Sequence, residues 1–175
     1  MSTLQSLHIL LVDDNQHMRA ITSAILQSAG IRKIRECGDG SAALEILRDH
    51  PIDLAIVDFN MFPLDGVEFT RLVRNSPDSG NPYLPIVMMT GHSEKTRVFE
   101  ARDAGVTEFV VKPITARAIL ERINVVIYRP RPFVKTEGYF GPCRRRTETA
   151  HYRGPMRRST DQVEAVAAEG SSSAA

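Results

Sequence analysis

The sequence is poor in the features that mark secreted, metal-stapled or membrane-spanning chains. It has two cysteines in 175 residues, Cys37 and Cys143, too few and too far apart for a disulfide framework or a thiolate metal site. No uninterrupted apolar segment approaches the roughly 20 residues that cross a bilayer. The N-terminus lacks the basic region, apolar core and small-residue cleavage pattern of a secretory signal. These absences together predict a reducing, cytoplasmic setting and no membrane partner. Net charge is nearly absent as well, at +1, but that total conceals a division. Residues 1–128 carry 13 Lys and Arg against 16 Asp and Glu; residues 129–158 carry 9 against 2, and residues 159–175 carry 0 against 3. Basic charge is therefore a property of the tail. The remaining composition, 42% hydrophobic and 25% charged, suits one domain of ordinary size with an extension.

What is present begins with Ile52-Asp53-Leu54-Ala55-Ile56-Val57-Asp58, a mostly apolar run bounded by Pro51 before and by Pro63 and Gly66 after. It reads as a strand covered on both faces and ending on a carboxylate. His8 to Val12 is a similar strand, stopped by Asp13-Asp14-Asn15, and a helix follows from Gln16 to Ala29 with Gly30 as its stop. Lys33 to Cys37 predicts a second strand and Ala42 to His50 a second helix. Asp65 or Gly66 opens a third helix carrying Val67, Phe69, Leu72 and Val73, and 75–85 is a loop rich in Pro, Ser, Gly and Asn. Leu84 to Thr90 is a fourth strand. Ser93 is placed to cap a helix to about Ala104, Glu108 to Val111 is a fifth strand, and Thr115 caps a last helix. Strands alternating with helices in this way require an α/β fold, a doubly wound parallel sheet with helices on both faces.

Five polar residues fall at strand ends: Asp13 and Asp14 after the first, Asp58 on the third, Thr90 on the fourth and Lys112 after the fifth. In a sheet of order 2-1-3-4-5 the first and third strands are neighbours where the order reverses, which is where such sheets bind ligands. Three carboxylates side by side raise one another's pKa unless a cation offsets them, and Mg²⁺ suits a site of few carboxylates and retained waters. A carboxylate nucleophile beside an ammonium and a hydroxyl is equipped for phosphoryl transfer through an acyl phosphate.

Over residues 6–128 the sequence resembles the receiver domains of two-component response regulators, stand-alone receivers of the chemotaxis-regulator type. The resemblance rests on Leu11-Val12-Asp13-Asp14-Asn15, Asp58 with Asp65-Gly66, Met89-Thr90-Gly91, and Phe109-Val110-Val111-Lys112-Pro113. It implies a flavodoxin-like fold in which Asp58 accepts a phosphoryl group from a histidine kinase or phosphotransfer protein. Asp13, Asp14, Asp58 and the backbone carbonyl of Asn60 would hold Mg²⁺. Lys112 would pair with the phosphoryl oxygens, and Thr90 and Phe109 would move together as a switch that changes contacts with a downstream protein target. Asn60 and His92 match positions that tune loss of the phosphoryl group. The Lys112-Pro113 bond would be cis. A homodimer through the helix at 93–104 and the fifth strand is a further implied contact. One departure is visible: Phe62 separates Met61 from Pro63, where the family usually has Met-Pro, so an altered loop around an intact site is expected.

The tail, 129–175, opens with Arg129-Pro130-Arg131-Pro132, which cannot continue a helix. A short repeat follows, Tyr139-Phe140-Gly141-Pro142-Cys143-Arg144-Arg145 and Tyr152-Arg153-Gly154-Pro155-Met156-Arg157-Arg158. Tyr139, Arg144, Arg145, Tyr152, Arg157 and Arg158 are candidate contact residues, an aromatic anchor and an arginine pair in each copy. Their partner is an acidic protein, the chain's own receiver or nucleic acid, or the segment is an irregular basic linker. Ser159-Thr160-Asp161-Gln162 can cap a helix through Glu169. About 45 residues of this composition make no independent output domain. The leading expectation is a phosphorylation-dependent switch of protein contacts that modifies itself and turns over no outside substrate. The rivals are a nucleic-acid binder acting through the arginine-rich tail and a tail-mediated scaffold.

Overall fold

The computed structural model describes the backbone of residues 3–91, 97–144 and 164–166. A four-residue helix, α1 (Thr3–Ser6), leads into β1 (His8–Val12), α2 (Gln16–Ser28), β2 (Lys33–Cys37), α3 (Gly40–Asp49) and β3 (Leu54–Asp58). The chain continues through α4 (Gly66–Asn75), β4 (Ile86–Thr90), α5 (Val98–Ala104), β5 (Glu108–Val111) and α6 (Ala116–Tyr128). The five strands form one parallel sheet of order β2-β1-β3-β4-β5, the doubly wound arrangement expected.

Strand periodicity divides the core into two layers. Ile9, Leu11, Leu54, Ile56, Val87 and Met89 face one way, against Leu26 of α2 and Ile119, Ile123 and Val126 of α6. Leu10, Val12, Ala55, Val57 and Ile86 face the other, against Ala43 of α3 and Phe69 and Val73 of α4. Met88 meets Val67 of α4 and Ala101 and Ala104 of α5. Burial on both faces is why the central strands read as continuous apolar runs.

Side-chain caps set the helix starts: Asn15 Oδ1 accepts from the amides of His17 and Met18, Asp39 from Ala42, and Thr115 from Ala118. Asp65 and Glu68 cap α4 reciprocally. Gly105 ends α5 at φ 103°, and a Cβ there would crowd the Phe140 carbonyl and Arg74. The helix α1 was not anticipated; it is too short for a periodic signal, and Leu4 packs on the core beside α2.

Beyond α6 the chain forms β6 (Phe133–Thr136) and β7 (Tyr139–Pro142), an antiparallel hairpin with Glu137 and Gly138 as its connection. No regular element was expected there, because four-residue strands carry too little alternation to be read. The hairpin packs against α4 and α5. Phe133 meets Tyr83 at 5.1 Å between ring centroids and Phe140 at 5.6 Å. Glu164–Val166 forms β8, antiparallel to β6. That corrects the helix expected to run through Glu169: so short a helix is marginal alone, whereas the open edge of β6 supplies backbone partners. The expected caps Ser93 and Ser159 lie outside the described residues.

Candidate functional site

The sheet register assembles the site. Val12 pairs with Val57, which puts Asp13 beside Asp58; Asp58 pairs with Met89, and Thr90 with Val111, which puts Lys112 next in line. Backbone bonds carry the ladder past the strand ends, with the Phe59 amide donating to Met89 O at 3.0 Å and the Lys112 amide to Thr90 O at 2.7 Å. Gly66 lies directly on this edge. A side chain at that position would collide with the Asp58 carbonyl oxygen, which explains why the position takes glycine.

Lys112 Nζ lies 2.7 Å from Asp58 Oδ1 and 3.6 Å from Asp13 Oδ2. Burial pushes the Asp58 carboxyl up to about 6, with the hydrogen bond and charge of Lys112 working against that rise. Burial also works to lower the Lys112 ammonium, but the hydrogen bond it donates to Asp58 and the charges of Asp58 and Asp13 outweigh it and hold the group above its ordinary value. Asp13 Oδ1 accepts from the Asn15 amide at 2.8 Å, whereas its Oδ2 is buried and has no hydrogen-bond partner.

A buried carboxylate oxygen without a hydrogen bond is costly, and the Lys112 ammonium at 3.6 Å offsets that cost only in part, which leaves room for a second cation. Asp13, Asp14 and Asp58 each offer an oxygen within 4.8 Å of the others. The donor set is all oxygen and anionic, which fits a hard divalent cation. Asp14 is exposed and Asp13 and Asp58 are buried, so such an ion would sit with one side open to water. Thr90 is buried at the end of β4, Phe109 is half-buried against the cluster that includes Phe59, Met88 and Ala101, and Asn60 is exposed on the loop after β3. The Lys112-Pro113 bond is cis, and so is Phe62-Pro63 in the loop where Phe62 interrupts the usual pattern.

Not every expected residue belongs to this cluster. Tyr139 and Arg144 lie on the hairpin and are engaged with their own chain: Arg144 stacks over the Tyr139 ring at 4.1 Å and pairs with Asp103 at 3.1 Å. His92, Arg145, Tyr152, Arg157 and Arg158 lie outside the described residues. Two residues near the site were not anticipated. Arg19 donates to the Asp13 carbonyl at 2.6 Å, and Arg97 pairs with Asp65 at 3.0 Å while its guanidinium lies 4.8 Å from the centre of the Phe59 ring. Both bind across gaps of sequence that no local motif spans.

The response regulator receiver domain model matches residues 9–124. The chain is 36% identical over 121 residues to the chemotaxis protein CheY of Pseudomonas aeruginosa, covering 69% of this chain and 96% of that protein. The structure of the chemotaxis response regulator CheY4 of Vibrio cholerae superposes with a TM-score of 0.62 at 30% identity, covering 69% of this chain and 98% of that one. The receiver domain of the sensor histidine kinase PA1611 from Pseudomonas aeruginosa, which has a magnesium ion coordinated in its active-site cleft, gives a TM-score of 0.59 at 28% identity over 68% of this chain and 94% of that one. The chain belongs to the response regulator receiver domain family, a phosphoacceptor of two-component signalling.

Proposed function

We propose that Asp58 is the phosphoacceptor and that Lys112 and Thr90 are the residues that assist it. The observation that carries this reading is the 2.7 Å contact between Lys112 Nζ and Asp58 Oδ1, with the same ammonium 3.6 Å from an Asp13 oxygen that makes no hydrogen bond. An Asp58 oxygen attacks the phosphorus of a phosphohistidine; the new O–P bond forms as the P–N bond breaks, and the donor's imidazole leaves. Lys112 balances the charge that gathers on the transferred oxygens, and the Thr90 hydroxyl donates to one of them. Asp13, Asp14, Asp58 and the Asn60 carbonyl would hold Mg²⁺, which would supply further positive charge to offset that of the transferred group. The chain thus promotes its own phosphorylation and, by attack of water on the acyl phosphate, its own reversal. Asn60 and His92 set the rate of that loss.

Phosphorylation biases the Thr90–Phe109 pair and so changes contacts with a downstream protein. The partners on this reading are a histidine kinase or phosphotransfer protein, a downstream target, and a second copy meeting through α5 and β5, all in the cytoplasm. The unit of function is residues 6–128, against which the hairpin of β6 and β7 packs. No helix among the described residues is long and apolar enough to cross a membrane. Nucleic-acid binding through the arginines is the weaker reading, since Arg144 is already committed to Asp103 and Tyr139.

The test is intact mass after incubation with Mg²⁺ and phosphoramidate. The expected result is one phosphoryl adduct on the wild type, none on Asp58→Ala, and none when a chelator is present. An adduct that persists on Asp58→Ala sinks the assignment.

A further inference from the structure

Asp58 is only 6% exposed, so a phosphohistidine reaches it by inserting a side chain at the carboxyl edge of the sheet. The body of the donor protein must then rest on the loops at that edge. Those loops present Asp14, Asn15, Asn60, Phe62, Pro63 and Pro113 to solvent. Among the described residues of this rim, polar groups and prolines predominate; Val111 at the end of β5 is 52% exposed, and Phe62 is 83% exposed, more than any other large apolar side chain described.

Phe62 is held out by its neighbours. Met61 is buried in the core and Leu64 packs against the same cluster, which includes Val57 and Phe69. Asp65, next along, is fixed as the cap of α4 and by its pair with Arg97. An aromatic ring displayed on a loop pinned at both ends loses little freedom when a partner covers it, which is the character of an interface hot spot. The ring makes no contribution to the core that its position would explain.

We propose that Phe62 is the apolar anchor on which a protein phosphodonor docks to present its phosphohistidine to Asp58. This rests on Asp58 being the phosphoacceptor. Phe62 is a binding residue for the donor and takes no part in the chemistry, so its loss separates protein donors from small ones.

The experiment compares transfer from purified, autophosphorylated histidine kinases of the same genome, using the one that labels the wild type fastest, with labelling by phosphoramidate. Phe62→Ser is expected to lower kcat/KM for the kinase at least tenfold, mainly through KM, with phosphoramidate labelling and Tm unchanged. Phe62→Leu is expected to recover most of the loss. Equal kinase rates in wild type and Phe62→Ser overturn the inference, and so does an equal loss with phosphoramidate, which would place Phe62 in the site itself. A wild type that phosphoramidate labels but no kinase does also overturns it while leaving Asp58 as the acceptor. A wild type that neither labels overturns the reading of Asp58.

Discussion

At the scale of single residues the site is a balance between burial and charge. Asp58 is buried enough to raise its carboxyl to about 6, yet Lys112 holds one of its oxygens at 2.7 Å. A carboxyl raised in this way favours the folded state most when it is protonated. Its contribution is fully present below about pH 4, the range of an unfolded aspartate, and is lost as the pH rises through about 6. Asp58→Asn keeps an acceptor for Lys112 and removes the charge. In chelator it should stabilise the fold by about 1–2 kcal/mol at pH 7–8, a figure that allows for screening by solvent. Urea midpoints measured from pH 4 to pH 8 check this: the advantage should shrink to nothing near pH 4, and a constant offset across the series would contradict the burial argument. Cys37 shows the same physics without the function. Burial, and next the charge of Asp39, push its thiol up to about 11, so it remains a protonated structural side chain at neutral pH.

At the scale of elements the unexpected feature is the hairpin of β6 and β7. It covers Arg74, whose guanidinium is buried and drawn down to about 9 by loss of solvent. Arg74 donates to Gly105 O at 3.1 and 3.0 Å and to Pro82 O at 2.8 Å, and the Phe133 ring centre lies 5.1 Å away. A buried cation satisfied by carbonyls and a ring depends on the elements that keep water out. Arg131 adds a second tie, pairing at 3.2 Å with Glu108, which is buried at the start of β5. The hairpin is therefore part of the fold around α4 and α5. Phe133→Ala should lower stability by about 3 kcal/mol, the usual cost of deleting a buried ring. Denaturant unfolding with an unchanged m-value would read that cost; a loss below about 0.5 kcal/mol would mean the hairpin adds nothing to the receiver's stability.

At the scale of the whole molecule, folding and ion binding are linked. Asp13 and Asp14 come from the loop after β1 and Asp58 from the end of β3, which are brought together only when the sheet is complete. An ion that binds the folded chain and has little hold on the unfolded one raises its stability by mass action, by about 2.7 kcal/mol at a hundredfold excess over Kd. Millimolar Mg²⁺ should raise the wild-type Tm and should leave Asp13→Asn nearly unmoved. The same shift should weaken as the pH falls through about 6, because a proton on Asp58 competes with the metal. A Tm gain equal in both proteins would place the ion elsewhere.

Much of this was legible in the sequence because it is written locally. Apolar runs with short turns specify buried parallel strands, and Asp65 and Thr115 are side chains whose own hydrogen bonds start helices. The positions of Asp13, Asp58, Thr90 and Lys112 at strand ends follow once the strand order is known, since a parallel ladder aligns those ends on one edge. Only the tertiary structure decided the rest. That Phe133, Phe140 and Tyr83 meet, that Arg74 is buried beneath them, and that Arg97 ties α5 to Asp65 are contacts across separations in sequence where no period or motif operates. The strand at Glu164–Val166 likewise exists because β6 offers it an edge, whereas its own residues favour a helix about as well.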